Sequence, residues 1–376
     1  MKIAPFETEH FFARYEFSTP YQLCNSDCET ITIDELLSLA DVSLEQLGEQ
    51  RLSYTETQGN PELRQAIADM YSNVSADDIV VLGTPVEGIY LAARALLDPG
   101  DEVIVLSPAY DALTTLFEHA AGPAAVKRWS FRPGEDSWYL DLNELQALLS
   151  PSTRLLVVNF PHNPTGFLPS PEFQQALFRL AEQHGLQIFS DEMYFGLVQP
   201  STAPVPSAAD LSANTVTLCG LSKTYGLPGL RSGWLVIRDK DLLERFMNWK
   251  FYTSICPPGP VEFLSIAALK ARDTLRARNI ARIASNLQLA DAFFKRWPQA
   301  FKWRKPGAGS TALVGWNVPS VEAVSHELAR SEGILVQSAQ MLGGDDRHMR
   351  MGFGRDAFPE ALSRFEDWLR RNSVSG

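Results

Sequence analysis

Thr215-Val-Thr-Leu-Cys-Gly-Leu-Ser-Lys223-Thr-Tyr-Gly-Leu-Pro-Gly-Leu-Arg231 is an apolar, β-rich run that passes straight into a glycine-bearing loop with a lysine at its mouth. A lysine taken alone is usually a solvated side chain. One flanked by buried strand residues is partly desolvated, which lowers its pKa and makes a neutral amine available for Schiff-base chemistry. Arg231, eight residues further on, supplies a fixed charge suited to a phosphate.

Working outward, short apolar runs of the same kind recur at Ile79 to Leu82, Glu102 to Leu106, Arg154 to Asn159, Gln187 to Ser190 and Trp234 to Arg238. Helix-sized segments separate them: Pro61 to Tyr71, Glu87 to Leu97 and Pro171 to His184, two opened by proline and the last stopped by Gly185. Buried strands alternating with helices predict an α/β region with a mostly parallel central sheet, whose ligands collect at the carboxyl ends of its strands. After Cys256-Pro-Pro-Gly-Pro260 the texture changes to one long, arginine-rich helical pattern from about Val261 to Trp297. Strands at Thr311 to Trp316, Ile334 to Gln337 and His348 to Phe353 then alternate with helices at Val321 to Ser331 and Pro359 to Arg371. The expected division is an N-terminal arm with part of the small domain at 1–50, a large domain at 51–256 and a smaller α+β domain at 257–376.

Two further strand ends carry chemistry. In Ile188-Phe-Ser-Asp191-Glu192-Met193-Tyr194 a carboxylate closes an apolar strand. In most proteins that is a helix cap or a turn. A buried aspartate needs a cationic partner, and a protonated pyridine nitrogen is one that turns a cofactor ring into an electron sink, with the Tyr194 phenol near enough to bond the ring oxygen. In Val157-Val-Asn159-Phe-Pro-His-Asn163-Pro-Thr-Gly166 the turn itself is ordinary, but an asparagine pinned by a following proline presents its amide at a fixed angle.

Together the three blocks resemble the class I/II aminotransferases, the fold type I pyridoxal-phosphate enzymes, from Tyr54-Thr-Glu-Thr-Gln-Gly59-Asn-Pro-Glu-Leu-Arg64 to Met349-Arg350-Met351-Gly-Phe-Gly354. The resemblance implies pyridoxal 5'-phosphate as cofactor, held as a Schiff base on Lys223, which also shuttles the proton. It makes Asp191 the partner of the pyridine nitrogen, Asn163 and Tyr194 the partners of the ring O3′, and Tyr110 in Ser107-Pro-Ala-Tyr110 the stacking aromatic. Ser222 and Arg231 become phosphate ligands, joined by Thr84, Pro85 and Val86 in Gly83-Thr84-Pro85-Val86-Glu87. Tyr54 reaches the phosphate from a neighbouring subunit, which implies a homodimer, and Arg350 clamps the substrate carboxylate while Asn163 also touches substrate. Two positions depart from the pattern. Pro85 has no N–H to offer a phosphate, and Gly220 stands where many relatives carry a hydroxyl. The arm around Tyr21 to Glu29 also lacks the familiar glycine-bearing substrate segment.

The implied reaction moves an amino group between an amino acid and a 2-keto acid. A lyase or an amino-acid cyclase on the same scaffold is the alternative, because small changes in substrate orientation partition the same chemistry. A nicotinamide-dependent dehydrogenase is the remote one. Gly307-Ala-Gly309-Ser-Thr-Ala312 has the glycine spacing of a dinucleotide fingerprint, but it precedes an expected strand instead of following one.

Bulk properties agree with such an enzyme. The 376 residues are 45% hydrophobic and 21% charged, enough for about two packed cores. A net charge of −12 argues against nucleic acid and anionic lipid as partners. Six dispersed histidines, with no His-Glu-x-x-His and with Cys24 and Cys28 lacking a second pair, predict no metal site. Four scattered cysteines, no apolar signal run near Met1 and no membrane-length stretch lead us to expect a cytoplasmic protein.

Overall fold

A computed structural model describes residues 2–372. The apolar runs form one sheet of seven strands in the order 79–82, 233–237, 215–220, 187–191, 153–159, 102–107 and 126–130. All run parallel except Gly233–Ile237, which lies antiparallel to both its neighbours. Thr215–Gly220 is buried at every position, as a strand covered by helices on both faces requires. Val126–Ser130, not expected from the sequence, is the edge strand. It pairs on one side only and keeps Arg128 exposed and Lys127 partly so, so its hydrophobic signal is weak.

The helices begin where their caps dictate. Asn60 accepts from the N–H of Glu62 ahead of Pro61–Ala68, and Ser170 caps Pro171–Gln183. The helix expected from Glu87 starts earlier, at Pro85, because proline at the first position loses only an N–H that has no helical partner.

The segment expected as a single helix from 261 to 297 is two, Gly259–Lys270 and Arg272–Arg296, meeting at Ala271. The first is apolar on most of its circumference. Leu264, Ala267 and Leu269 pack in one core with Leu63, Ile67, Val81 and Trp234 of the large sheet and its covering helix. That core therefore extends past residue 257, where the sequence expectation puts the start of the small domain. A proline-rich turn reads the same whether the next helix leaves a core or docks back on it. The long helix joins both units: Leu275 packs with the large-sheet core, and Ile283, Phe293 and Phe294 pack with the smaller one.

The smaller unit has a four-stranded antiparallel sheet in the order 301–302, 311–316, 348–352, 337–338, closed by Phe358–Asn372. Ile334–Leu335, expected to run on through 337, instead pairs parallel with Tyr21–Gln22. The N-terminal arm thus splits between units. Its first helix, Glu7–Tyr15, and residues 21–22 lie with the smaller one, while Leu36 and Leu37 of Ile33–Leu39 sink into the large-sheet core. Among the described residues, no helix is long and apolar enough to cross a membrane.

Candidate active site

A cavity of about 390 Å³ opens at the carboxyl ends of the large-sheet strands, between them, the smaller sheet and the N-terminal helix. Every expected site residue except Tyr54 lines it.

Its floor is set by strand register. Thr153–Asn159 and Gln187–Asp191 run parallel with Asn159 beside Asp191. The Asn159 Nδ2 donates to the Asp191 carbonyl at 2.8 Å, and its Oδ1 accepts from the Asn163 N–H at 2.9 Å. One side chain so ties the acid's strand to the Asn163 turn, a role for Asn159 that the sequence reading did not assign. The Asp191 Oδ1 accepts from the Met193 N–H at 3.0 Å. Burial pushes the Asp191 carboxyl up to about 6, against the opposing pulls of that N–H and then of Lys223. A cation seated against this acid restores its charged form.

Lys223 follows Thr215–Gly220 and is half-buried, its Nζ donating to Ser26 Oγ at 2.9 Å. The next residue anchors the loop: Thr224 Oγ1 donates to the carbonyls of Phe195 at 2.9 Å and Met193 at 3.3 Å. The loop that carries the amine is thereby pinned to the loop that follows the acid. Tyr194, buried, lies between them on the cavity wall.

At the other end, Thr84 precedes the helix Pro85–Ala95 and Arg231 reaches over to it, Nη2 donating to Thr84 Oγ1 at 2.6 Å while Nη1 donates to the Pro228 carbonyl at 2.9 Å. Arg231 sits at φ 52, in the left-handed region that glycine normally fills. A non-glycine residue held there shows that its surroundings over-determine it. With Ser222, the Val86 N–H and the helix N-terminus, this end makes a cradle for an anion. The two departures from the family pattern prove to be linked. A Cβ added at Gly220 would lie 3.1 Å from Cγ of Pro85, and one at Gly233 only 2.9 Å from it. The proline ring, with the Ser232 carbonyl at 3.0 Å and the Gly233 Cα at 3.2 Å, crowds the space that a side chain at 220 would need.

Arg350, on His348–Gly352, is buried. Its Nε donates to the Cys24 carbonyl at 3.1 Å and its Nη1 to Asn163 Oδ1 at 3.3 Å. The guanidinium therefore enters the cavity from the smaller unit and meets the turn from the larger one.

The remaining wall is the N-terminal helix, which the sequence reading missed. Thr8, Glu9, Phe12 and Glu16 line the cavity, with Asn25, Ser26 and Asp27 below them. Thr8 grips the loop after the strand Glu102–Ser107: its N–H donates to Asp111 Oδ2 at 3.1 Å and its hydroxyl to Oδ1 at 2.8 Å. The Tyr110 hydroxyl donates to Glu9 Oε1 at 3.0 Å, and burial, with the Glu9 charge next, holds that phenol far above its ordinary value. In sequence the only signal is Glu7-Thr-Glu-His-Phe-Phe-Ala-Arg-Tyr15, an amphipathic turn pattern with acid at its start and no motif.

The family profile described as "Aminotransferase class I and II" matches residues 22–357. The chain belongs to the class I and II aminotransferases. It is 30% identical over 340 residues to the capreomycidine synthase of Streptomyces vinaceus, a match covering 90% of this chain and 86% of that one. A pyridoxal-phosphate-dependent aminotransferase from Streptococcus suis has the same fold, with a TM-score of 0.92 at 25% identity over 100% of both chains. The pyridoxal-phosphate-dependent cyclase OrfR gives 0.91 at 27% identity over 99% of both. The architecture is accordingly fold type I, and pyridoxal phosphate is the cofactor this family implies. The residues present fit it: an amine at 223, a buried acid at 191, an aromatic face at 110 and an anion cradle at 84–86, 222 and 231 surround one cavity. The dinucleotide-like Gly307-Ala-Gly309 is a turn whose first two N–H groups bond the Gly166 carbonyl, and it leads into the strand Thr311–Trp316 rather than opening a helix.

Proposed function

We propose that this enzyme transfers the amino group of an α-amino acid to a 2-keto acid, using Lys223 both to hold the cofactor covalently and as the base. The observation that supports this best is the convergence of Lys223, Asp191 and Arg350 on one 390 Å³ cavity, with Asn163 bonded to the arginine and tied through Asn159 to the acid's strand. When bound, pyridoxal phosphate supplies the electron sink for charge developing at the substrate Cα. Asp191 would hold the ring nitrogen protonated, and the Asn163 amide and the Tyr194 phenol would orient the ring. Arg231, Ser222, Thr84 and the N–H groups of the helix's first turn after Pro85 would hold the phosphate. Arg350 binds the substrate carboxylate bidentately, which turns the Cα hydrogen toward Lys223, and the Lys223 amine takes that proton and later returns it.

A ring-forming or lyase reaction on the same residues is the second reading, favoured by the relatives named as a synthase and a cyclase. A panel of amino acids with a keto-acid acceptor separates the two. Transfer predicts stoichiometric new amino acid from the acceptor; ammonia release, or loss of a side-chain group with no acceptor consumed, would overturn it. Borohydride reduction followed by peptide mapping checks the first step: the cofactor is expected on Lys223, and its appearance on any other lysine defeats the assignment.

We also propose a homodimer in which Tyr54 completes the partner's phosphate cradle. Tyr54 is 86% exposed, close in chain to the 90% exposed Leu52, and Thr55 bonds the Pro257 carbonyl beside the 88% exposed Tyr252. A 930 Å³ groove lined by Phe6, Tyr90, Leu116 and Thr253 shares Thr84 and Val86 with the cavity, so a second copy seated there would lie against the cradle. A cytoplasmic setting belongs to the same proposal, supported by four unpaired thiols.

A further inference from the structure

A second cavity, of about 440 Å³, lies back to back with the first across the same two strand ends. Successive side chains of an extended chain point to opposite faces. In Val158-Asn159-Phe160 and Ser190-Asp191-Glu192 the middle residue accordingly lines the cofactor cavity, and its two neighbours line the rear one. The reaction proposed above uses none of the rear cavity.

Most of its wall is apolar: Phe160, Phe178 and Phe195, Ile280 from the long helix, and Pro200 and Pro204 at the rim. Its charges are already answered within the protein. The buried Glu192 accepts from the Ala208 N–H at 2.7 Å and the Ser190 hydroxyl at 3.2 Å on Oε1, and from the Ser207 hydroxyl at 2.7 Å on Oε2. The Arg276 guanidinium is paired with Asp273 at 2.8 Å. Two primary amides are not answered. Gln199, 6% exposed, lines the cavity, and its side chain has no hydrogen-bond partner among the described residues. Unlike the unpaired Thr217 hydroxyl, it is not sealed in the core, so its amide opens on the cavity. Gln174, 5% exposed, gives its Nε2 to the Pro206 carbonyl at 3.0 Å and leaves Oε1 to the same space. Buried amides are ordinarily bonded, and a few polar groups set in apolar walls are the composition of a small-molecule site.

We propose that the rear cavity is a second binding site, for a neutral planar ring with an amide-type edge, an N–H donor beside an acceptor, which pairs with the Gln199 amide. A primary amide carries a donor and an acceptor side by side and meets such an edge with two bonds at once, as glutamine does with adenine. Gln174 Oε1 accepts a further N–H, and the phenylalanine rings pack against the ligand's ring. A charged ligand fits worse, because Glu192 and Arg276 are already paired and it would be desolvated without a counter-charge. An aromatic carboxamide and a nucleobase both present this edge, so the test carries one of each.

The holoenzyme is titrated calorimetrically with benzamide, adenine, toluene and benzoate. Benzamide or adenine should bind about tenfold more tightly than toluene and benzoate, the difference that one or two recovered hydrogen bonds make, and the tighter of the two identifies the source. In Gln199→Met, which keeps the volume and removes the amide, that ligand should lose about tenfold in affinity while toluene is unchanged. Toluene or benzoate binding as tightly as both amide-edged ligands in the unaltered enzyme would overturn the proposal without needing the variant to fold. So would an unchanged affinity in Gln199→Met, which would put the ligand elsewhere on the protein.

Discussion

On the sheet side of the cavity, each functional group stands at or a few residues beyond a buried strand end: Thr84, Asn159 and Asn163, Asp191 and Tyr194, Ser222 and Lys223. On the arm side the groups come from a helix and an irregular stretch, Glu9, Phe12, Glu16, Asn25 and Ser26, whose nearest ordered strand is two residues long. The difference teaches what holds each wall in place. Parallel strands held in register by a dry core keep an acid, an amide and an amine fixed relative to one another, which catalysis at one cofactor demands. The arm is fastened at separate points, Thr8 on Asp111, Tyr110 on Glu9 and Ser26 under Lys223, and it forms the cavity wall opposite the strand ends.

Breaking the sheet side should be severe. An ion pair between Asp191 and the ring nitrogen is worth about 4 kcal/mol at an effective dielectric near 20. Asp191→Ala should therefore retain cofactor poorly and lose about a thousandfold in kcat/KM, measured by equilibrium dialysis and steady-state kinetics. An effect below about tenfold would show that the acid does not set the ring's charge.

The same residue gives a stability prediction. Burial raises the Asp191 carboxyl to about 6, above an unfolded value near 4, so between those pH values the cofactor-free folded chain holds a proton that the unfolded chain has released. Its contribution is fully present below about pH 4 and is lost as pH rises through about 6, a swing of about 3 kcal/mol. Asp191→Asn should abolish this part of the pH dependence, checked by denaturant melts of the apoprotein across that window. A wild-type curve parallel to the variant's would remove the burial argument.

Arg350 joins the two sides, and Arg350→Lys keeps the charge but loses the fork that serves Cys24, Asn163 and a carboxylate at once. KM for the amino acid should rise by about 2 kcal/mol, roughly thirtyfold, with cofactor affinity little changed. A cofactor loss of equal size would make the arginine a general organiser of the site instead. The smallest effect belongs to the arm. Thr8→Val removes the hydroxyl bond to Asp111 and the acceptor of the buried Gln337 Nε2 and leaves the N–H bond, so about 1 to 2 kcal/mol should appear as a several-fold to roughly tenfold rise in KM without loss of reducible cofactor. No change in KM would mean that the Thr8 hydroxyl adds nothing to the arm's other fastenings.

The strand ends were legible because a buried parallel strand writes itself as a continuous apolar run, and because polar residues at its end have few reasons to be there except caps and ligands. Lys223, Asp191 and Asn163 could be read that way, and the resemblance to a known family supplied their roles. Asn159 was visible but silent, since its function is to bond a neighbouring strand whose register no single run reveals. Val126–Ser130 escaped because an edge strand can keep its charges. The boundary expected at 257 falls within the large-sheet core, since a proline-rich break marks a change of direction and not a change of core.

By itself, then, the chain's order of apolar and polar residues determined the α/β architecture and the chemical character of the groups at the strand ends, because both depend on local periodicity and on residues adjacent to it. Only the tertiary structure decided that the helix Glu7–Tyr15 brings Phe12 against Arg350, that Pro85 packs against Gly220, and that Ser26 meets Lys223. Those contacts join residues more than a hundred positions apart, and no local pattern encodes a partner at that distance.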